Sequence, residues 1–246
     1  MSPAPSGAPA STFGNSRVAF FGGSFDPPHL GHVAVACAAR QALSLDRVLF
    51  APVGLQPLKP AGSSASFEDR AAMTRLAIAN QPGFEISLAD APKPGTSASS
   101  FTRPNFTPNF TFDTLTAIRE SLPKETTLFM LLGADSFLAF RHWHRAAELP
   151  FLAGLIVAAR PHENLDDLSA GLPDGISLEA GAGQPNQYRL TNAEGEHSSL
   201  TILPDLHYDI SATQLRSQVH GQAPNQAPLL DPAVLGYIRE HHLYQE

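Results

Sequence analysis

Two pairs of polar side chains in this sequence have the types and the spacing that bind phosphate. His29 and His32 stand three residues apart shortly after a Gly-Gly pair, and Thr213 and Arg216 stand three apart near the carboxyl end. Residues three apart share one face of a helix, so each pair can reach a single anion. Imidazole N–H groups, a hydroxyl and a guanidinium fork all donate to phosphate oxygens. These residues therefore predict the binding of a phosphorylated ligand.

The histidine pair lies in a turn between a predicted strand and a predicted helix. The stretch at 22–32 has the sequence Gly-Gly-Ser-Phe-Asp-Pro-Pro-His-Leu-Gly-His, with an apolar run before it and a run of Ala and Val after it. Adjacent glycines let a backbone approach a ligand closely, and a helix that begins near Gly31 directs its unpaired N–H groups and positive dipole end at the same place. The other candidate binding residues of this loop are Gly22, Gly23, Ser24 and Phe25.

A simpler interpretation of this loop is structural. Two glycines can make a tight turn, Pro27 and Pro28 can stiffen it, and the histidines can be ordinary surface residues. The sequence contains neither the Walker A pattern nor the dinucleotide fingerprint Gly-x-Gly-x-x-Gly. The order of strand, Gly-Gly, His-x-Gly-His and helix nevertheless favours a phosphate site, in a chain whose later segments also alternate strand and helix.

The second pair belongs to the stretch Ile-Ser-Ala-Thr-Gln-Leu-Arg at 210–216. Ser211 is a good helix N-cap, and Gly221 is a good residue to end the helix. Hydroxyl groups and a guanidinium at a helix start form a second phosphate cradle, in which Arg216 can bind two oxygens at once. A capped surface helix with a solvated arginine is the alternative for this segment considered alone.

Both stretches resemble the motifs of one enzyme superfamily. The first is similar to the signature of the nucleotidyltransferases that carry a His-x-Gly-His motif, and the second fits their Ile-Ser-x-Thr-x-Ile/Leu-Arg motif. Members transfer a nucleoside monophosphate from a triphosphate to a phosphate or a similar acceptor. The resemblance implies that His29, His32 and Arg216 are catalytic and that Ser211 and Thr213 contact ATP.

The middle of the chain resembles the bacterial nicotinate-nucleotide adenylyltransferase family. The run Pro-Asn-Phe-Thr-Phe-Asp-Thr-Leu at 108–115 is similar to the family's Pro-Ser-Tyr-Thr-x-x-Thr-Leu, which holds the nicotinate ring and its carboxylate. A second run, Gly-Ala-Asp at 133–135 with Phe140 and Trp143 after it, is similar to the family's Gly-x-Asp…Phe-x-x-Trp segment. By this resemblance the acceptor contacts Phe110, Thr111 and Trp143, and the ATP ribose lies near Gly133 and Asp135.

Structural roles are also open for several of these residues. Asp135 is a candidate N-cap for the next helix, and Trp143, the only tryptophan, can fill the core. Arg160 follows the apolar run 156–159. The resemblance brings Arg160 near the phosphate of the acceptor, and a surface arginine before a turn is an equal alternative.

The chain departs from the family pattern in two places. The family often has Pro-Pro-His-Lys after its second strand, whereas this sequence has Gln-Pro-Leu-Lys at 56–59. Any contact of that histidine is missing, and Lys59 is expected to meet the substrate alone. The second departure is a near-copy, Pro-Asn-Phe-Thr at 104–107, in a stretch rich in Ser, Pro and Thr. Only the copy at 108–111 runs into the Thr-Leu pair, so the earlier copy is interpreted as a loop insertion.

The order of the segments predicts an α/β fold with a Rossmann-like, doubly wound, mainly parallel sheet and helices on both faces. Apolar runs predict strands at 17–21, 47–52, 84–87, 127–132, 155–159 and 200–203. Asp231 as N-cap and Pro232 at the first helical position predict a closing helix. Residues 1–16, rich in Ala, Pro, Ser and Gly, predict a disordered tail before a single nucleotidyltransferase domain, 17–246. Residues 170–196 lack a clear period and predict a long loop or a small excursion.

Composition restricts the partners and the compartment. The 246 residues carry a net charge of −7 without a Lys/Arg-rich stretch, which argues against a nucleic-acid partner. No apolar run approaches the roughly 20 residues of a membrane span, so no membrane partner is expected. Cys37 is the only cysteine, so no disulfide can form within the chain and a reducing cytoplasm is expected. Among Ala and Val neighbours, Cys37 is expected to be a small core residue.

The resemblance implies one reaction and leaves others open. The adenylyl group of ATP passes to nicotinate mononucleotide and gives deamido-NAD and pyrophosphate, with Mg²⁺ bridging the triphosphate and held largely by substrate and water. No zinc-type spacing occurs, so no metal ligand from the protein is expected. Pantetheine-phosphate adenylyltransferases and cytidylyltransferases share the phosphate motifs, and a catalytically silent nucleotide-binding sensor is a further alternative. The choice between nicotinate and nicotinamide mononucleotide, and between a monomer and a homo-oligomer, is open at this point.

Overall fold

The computed structural model describes residues 15–55, 62–93, 108–159, 167–181, 185–203, 212–221 and 229–245. The strands in these residues are β1 Arg17–Gly23, β2 Arg47–Pro52, β3 Phe84–Ile86, β4 Thr127–Gly133, β5 Gly154–Ala158, β6 Ser177–Ala180, β7 Gln187–Thr191 and β8 His197–Leu203. The α-helices are α1 Leu30–Leu43, α2 Phe67–Ile78, α3 Thr111–Ser121, α4 Ala134–Leu138, α5 Leu149–Leu152, α6 Ala212–Gly221 and α7 Pro232–Glu240. None of these helices is long and apolar enough to cross a lipid bilayer.

The strand order puts a switch point of the chain beside β1. The order across the sheet is β3-β2-β1-β4-β5-β8-β7-β6, so the chain moves outward from β1 to β3 and returns to β4 on the other side of β1. Parallel pairing places Phe20 opposite both Leu49 and Met130. Open α/β sheets bind ligands beyond the carboxyl ends of their strands at such a point. The predicted fold class, a Rossmann-like and mainly parallel α/β sheet, is confirmed.

The loop predicted at 170–196 is wrong in part, because this stretch adds two strands to the sheet. β6 and β7 pair antiparallel, with Leu178 opposite Leu190, and β7 pairs antiparallel with β8. Most side chains of β6 are exposed, and Leu190 is the only fully buried side chain of β7. Strands that bury so little lack the apolar alternation by which a strand is recognised in sequence.

The core lies on both faces of the sheet. Phe20 and Met130 belong to the apolar cluster on one face, and Phe21 and Leu131 belong to the cluster on the other. Successive residues of a strand point to opposite faces, so β1 and β4 supply both clusters. Strands buried on both sides are continuous apolar runs, which explains why β1, β2, β4 and β5 were predictable.

The predicted core position of Cys37 is wrong. Its side chain is exposed, and Sγ lies 3.8 Å from Oε1 of Gln81. α1 buries Ala36 and Ala39, and a helix turns by about 100° per residue, so the position after Ala36 points away from the sheet. Partial burial still raises the pKa of the thiol. Cys37 is therefore a surface residue beside the turn that precedes β3.

Candidate functional site

Gly22 and Gly23, which the sequence predicts in a turn, are the last two residues of β1, and aromatic rings pack against both of them. A Cβ on Gly22 would lie 2.8 Å from the ring of Phe20, and one on Gly23 would lie 3.2 Å from the ring of Phe25. Phe25 is buried, has a φ of 47°, and meets the ring of Phe21 edge-on at 5.5 Å. A side chain at Gly22 would therefore force the ring of Phe20 to move, and one at Gly23 would press on the ring of Phe25.

The two histidines of the loop lie together at the start of α1. Their rings stack with centroids 3.7 Å apart and planes at 30°. The backbone N–H of His29 donates to Nδ1 of His32 at 3.1 Å. Because Nδ1 accepts this bond, the neutral ring of His32 carries its proton on Nε2, which makes Nε2 a donor. The structure thus brings both imidazoles to one place, and the side chain of His29 is buried there.

The start of α1 is more enclosed than the sequence suggests. His29 is the N-cap, and its carbonyl accepts bonds from the N–H groups of His32 and Val33. The N–H of Leu30 donates to the carbonyl of Leu229 at 2.8 Å. A helix start leaves four N–H groups without an intrahelical acceptor, and the C-terminal segment engages one of them here. An anion at this position would therefore depend on the imidazoles as well as on the helix.

Asp26 is a buried carboxylate in the same loop that sequence reasoning missed. Its side chain accepts hydrogen bonds from the N–H groups of Ser64 at 2.6 Å and Ala65 at 3.1 Å, just before α2. It also accepts a bond from the hydroxyl of Tyr244 at 2.7 Å. Donors of this kind offset the desolvation of a buried carboxylate. Asp26 therefore connects the loop by hydrogen bonds to the residues just before α2 and to the C-terminal segment.

α6 brings Arg216 onto this loop across 190 residues of sequence. Nη1 donates to the backbone carbonyl of Asp26 at 2.7 Å and lies 4.0 Å from its carboxylate. Nη2 donates to the hydroxyl of Thr213 at 3.1 Å, so these two residues share a helix face as their spacing predicts. The Arg216 side chain is 27% exposed, which leaves part of it accessible from solvent. The histidine pair and the Thr213–Arg216 pair, both predicted from the sequence to bind phosphate, therefore meet at one loop.

Arg70 on α2 ties the loop to two neighbouring segments. Its buried guanidinium donates to the carbonyls of Ser24 at 2.6 Å, Val53 at 2.8 Å and Ala65 at 3.3 Å. Burial lowers the pKa of this guanidinium, and the charge of Asp26 acts in the opposite direction. Sequence reasoning missed Arg70 because an arginine in a helix is most often on the solvated face.

The end of β4 lies beside the loop because β4 pairs with β1. Gly133 ends β4 and is the N-cap of α4, and Asp135 is exposed in the first turn of α4. The alternative role of Asp135 as an N-cap is therefore wrong, since α4 begins one residue before it. A carboxylate in this position can accept hydrogen bonds from ribose hydroxyls.

Trp143 combines core packing with partial exposure. Its ring meets Phe140 edge-on at 5.5 Å and packs against the apolar cluster on that face of the sheet. Nε1 is buried and has no hydrogen-bond acceptor among the described residues. The two roles weighed for Trp143 in the sequence are therefore physically compatible.

Asn109 fixes the segment that carries Phe110 and Thr111 beyond the carboxyl end of β2. Its N–H donates to the carbonyl of Leu55 at 3.0 Å, and its side-chain oxygen accepts from the N–H of Leu55 at 3.1 Å. Phe110 is the N-cap of α3, which begins at Thr111. The ring centroid of Phe110 lies 4.4 Å from that of His144, a residue that no motif in the sequence indicates. His144 directly follows the tryptophan, so two separate segments meet at this aromatic pair.

Asp90 is a second buried carboxyl group, in the turn after β3. Its Oδ1 accepts a hydrogen bond from the hydroxyl of Thr114 at 2.8 Å, and its carbonyl accepts one from the N–H of Gly54 at 2.7 Å. Burial raises the pKa of Asp90 to about 6, against the lowering effect of side-chain bonds from Thr114 and Asn109. The carboxyl group therefore holds its proton at pH values where exposed carboxyl groups have lost theirs.

We predict that Asp90→Asn removes a pH dependence of stability. Because the folded-state pKa lies above the unfolded value, the folded chain binds more protons, and the free energy of unfolding falls as the pH rises from about 4 to about 6. Asn has the size of Asp and cannot ionise. The free energy of unfolding of the variant, relative to that of the wild type, should therefore rise by about 2–3 kcal/mol between about pH 4 and pH 6. Urea unfolding at several pH values measures the gain, with Asp174→Asn as a control for the loss of one exposed carboxylate. A difference between Asp90→Asn and wild type that does not change with pH would contradict the prediction.

Three predicted site residues lie outside the described residues: Lys59, Arg160 and Ser211. The same holds for the near-copy at 104–107 and for residues 1–14 of the predicted tail. The roles assigned to them from the sequence stay predictions.

Comparison with known proteins identifies the family to which the chain belongs. The chain is 35% identical over 229 residues to the probable nicotinate-nucleotide adenylyltransferase of Trichlorobacter lovleyi, covering 93% of this chain and 99% of that protein. It is 36% identical over 231 residues to the protein of the same name from Chromobacterium violaceum, covering 94% and 100%. The cytidylyltransferase-like family model matches residues 20–218, which defines the chain as a nucleotidyltransferase of that class. Within the class, the chain belongs to the nicotinate-nucleotide adenylyltransferase family.

Solved structures share the fold at lower sequence identity. Plasmodium falciparum nicotinic acid mononucleotide adenylyltransferase complexed with NaAD has a TM-score of 0.64 and 19% identity, covering 94% of this chain and 98% of that chain. The same protein complexed with APC has a TM-score of 0.63 and 18% identity, with the same coverage. At such identities the likeness shows the fold alone.

Proposed function

We propose that this chain transfers the adenylyl group of ATP to nicotinate mononucleotide, which yields deamido-NAD and pyrophosphate in NAD biosynthesis. Membership of the family supports the reaction. The observation that connects it to particular residues is the meeting of His29, His32 and Arg216 at one loop beside the switch point of the sheet.

ATP is proposed to lie across the ends of β1 and β4. Nε2 of His32, the guanidinium of Arg216 and the hydroxyl of Thr213 donate to phosphate oxygens. Asp135 accepts from the ribose hydroxyls. Support comes from the contact between Arg216 and Thr213 and from the pairing of β1 with β4, which brings both parts of the nucleotide within one crevice.

Catalysis in this site depends on position and charge. A phosphate oxygen of the acceptor attacks the α-phosphorus of ATP in line, and the bond from that phosphorus to the bridging oxygen breaks, releasing pyrophosphate. A phosphate oxygen is already an adequate nucleophile, so neither a general base nor a covalent intermediate is required. The donors of His29, His32 and Arg216 hold the oxygens on which negative charge accumulates in the transition state.

The donor set of the loop suits ATP that carries Mg²⁺. The imidazole N–H groups and the guanidinium donate to phosphate oxygens and offer no lone pair to a cation from those atoms. The described residues contain no group of three His, Cys, Asp or Glu side chains that could hold a metal ion. We therefore propose that triphosphate and water hold the Mg²⁺, which supplies charge neutralisation on the phosphate oxygens when bound.

Nicotinate mononucleotide is proposed to lie against the segment after β2. The face of Phe110 stacks on the pyridine ring, and Trp143 borders it. The hydroxyl of Thr111 and the N–H groups at the start of α3 suit the carboxylate. Lys59 and Arg160 are the candidate cations for the phosphate of this substrate.

We further propose that the partners are small molecules and that the protein acts in a reducing cytoplasm. The single cysteine and the net charge of −7 support this assignment, which involves neither a nucleic acid nor a membrane. A monomer and a homo-oligomer are equally compatible with a site whose described residues come from one chain.

Pyrophosphate release from ATP and Mg²⁺ tests the proposed function. Nicotinate mononucleotide, nicotinamide mononucleotide and phosphopantetheine are compared in parallel with the purified protein. A strong preference for nicotinate mononucleotide is expected. Activity only with another acceptor would keep the phosphate site and discard the acceptor site. ATP binding without pyrophosphate release would favour the nucleotide-binding sensor.

Phe110→Leu tests the acceptor site. Leucine keeps the bulk of the side chain and loses the aromatic face, so the KM for nicotinate mononucleotide should rise about 5-fold, in line with about 0.5–1.5 kcal/mol for an aromatic pair. The KM for ATP should change little. Phe151→Leu, at a half-buried position of α5 outside the site, is the matched control. Equal increases in both KM values would place Phe110 outside the acceptor site.

A further inference from the structure

The C-terminal segment 229–245 touches the loop after β1 at two separate points. At one end, the carbonyl of Leu229 accepts a hydrogen bond from the N–H of Leu30, the first residue of α1, at 2.8 Å. At the other end, the hydroxyl of Tyr244 donates to Oδ1 of Asp26 at 2.7 Å. Both ends of the segment therefore contact the part of the chain that carries the two histidines.

The same segment supports the helix that carries Arg216. Leu215 of α6 is fully buried in an apolar cluster with Met73 of α2 and with Val234 and Ile238 of α7. This cluster is separate from the two clusters on the faces of the sheet. Packing against α7 and α2 therefore supports the position from which α6 presents Arg216.

The side chain of Asp26 contacts both Tyr244 of the C-terminal segment and Arg216 of α6. Oδ1 accepts from Tyr244 and Ala65, and Oδ2 accepts from Ser64 and lies 4.0 Å from Nη1 of Arg216. The side chain of Asp26 is only 5% exposed. Burial, and then the charge of Asp26, raise the pKa of Tyr244 far above its usual range, so the hydroxyl keeps its proton and stays a donor. Nη1 of Arg216 also donates to the carbonyl of Asp26, so a shift of Asp26 would carry Arg216 with it.

We infer that Tyr244 is a positioning residue for adenylyl transfer. Its hydroxyl, acting through Asp26, sets the Arg216 guanidinium and the histidine loop at the separation that the triphosphate needs. This inference rests on the function proposed above and extends it to a residue outside both phosphate motifs. Because Tyr244 acts on the ATP side of the site, its loss should affect ATP and turnover more than the acceptor.

Tyr244→Phe removes the hydroxyl and keeps the ring. We expect kcat/KM for ATP to fall about 10-fold, short of the roughly 100-fold that a 1 Å misplacement can cost, with the KM for nicotinate mononucleotide within about twofold of wild type. Tyr237→Phe is the matched control, since the hydroxyl of Tyr237 on α7 donates to Oδ1 of Asp69 on α2 at 3.0 Å. This bond also joins a phenol of the C-terminal segment to a carboxylate, and Asp69 lies outside the loop. Tyr237→Phe should leave the kinetic constants unchanged.

A double-mutant cycle tests whether the effect passes through Arg216. In an Arg216→Lys background, Tyr244→Phe should weaken MgATP binding little further, because residues in one network are not additive. Calorimetric titration measures the binding, and thermal unfolding of each variant records the loss of stability. Equal losses of kcat/KM in Tyr244→Phe and Tyr237→Phe, or full additivity with Arg216→Lys, would overturn the inference.

The same titration separates this inference from the proposed function. Absence of pyrophosphate release by the wild type with every acceptor would overturn the function. MgATP binding that is weaker in Tyr244→Phe than in Tyr237→Phe would still support positioning by Tyr244. Equal binding in the two variants would overturn it.

Discussion

His32→Ala should lower the turnover number about 100-fold or more, the scale for loss of one preorganised donor to developing charge. Nδ1 of His32 accepts the N–H of His29, and the His32 ring meets Phe25 edge-on at 5.0 Å. These contacts fix the imidazole without any help from a ligand. Its Nε2 donor is therefore aligned in advance, so the loss should appear in kcat much more than in the affinity for ATP.

Steady-state pyrophosphate release and calorimetric titration with MgATP separate these two effects. His197→Ala is the matched control, because His197 is exposed at the start of β8, at the opposite end of the strands, where Nδ1 lies 3.0 Å from the hydroxyl of Thr191. Thermal unfolding checks that the loop of His32→Ala remains folded. An unchanged turnover number in His32→Ala would remove His32 from the catalytic residues.

Arg216→Lys should lower the turnover number by about 10- to 100-fold although it keeps the positive charge, and Arg216→Ala by about 100- to 1000-fold. Nη1 of Arg216 is bonded to the carbonyl of Asp26 and Nη2 to the hydroxyl of Thr213. The guanidinium has five N–H donors in a rigid fork, so it can keep these bonds and still donate to phosphate. A lysine side chain has a single nitrogen, which cannot keep the bonds to Asp26 and Thr213 and also donate to phosphate from one position.

Arg239→Lys controls for the exchange of an exposed arginine, since Arg239 lies in the last turn of α7. The KM for ATP should rise in Arg216→Lys and stay unchanged in Arg239→Lys. Activity of Arg216→Lys equal to that of the wild type would mean that only the charge matters, and the anchoring by Asp26 and Thr213 would then have no role in catalysis.

Features that depend on neighbours in sequence were predictable, in the site and outside it. Asp231 caps α7, its side chain accepting from the N–H of Ala233 at 2.8 Å, and Pro232 begins the helix, because capping is a local property. Thr213 and Arg216 meet on α6 because helical spacing alone brings them together. The buried parallel strands were predictable because strands covered on both faces are continuous apolar runs.

The wrong predictions concern segments whose local sequence is compatible with two structures. Cys37 lies among small apolar residues, yet which side of α1 faces the sheet depends on packing, and Cys37 faces solvent. β6 and β7 bury few side chains, so their sequences carry little strand pattern. Both segments are strands because they pair with each other and because β7 pairs with β8.

The sequence by itself determined the parallel α/β sheet and predicted the chemistry proposed here, through two motifs of a few residues each whose side chains suit phosphate. Only the tertiary structure decided which buried polar groups hold the motifs together. The hydrogen-bond partners of these groups lie tens to hundreds of residues away in sequence, as for Asp26, Arg70 and Tyr244. A polar residue without a visible partner nearby in sequence is predicted to be exposed to solvent. Such groups can be buried only when the fold delivers their donors and acceptors, so their roles follow from the folded chain and not from any one segment.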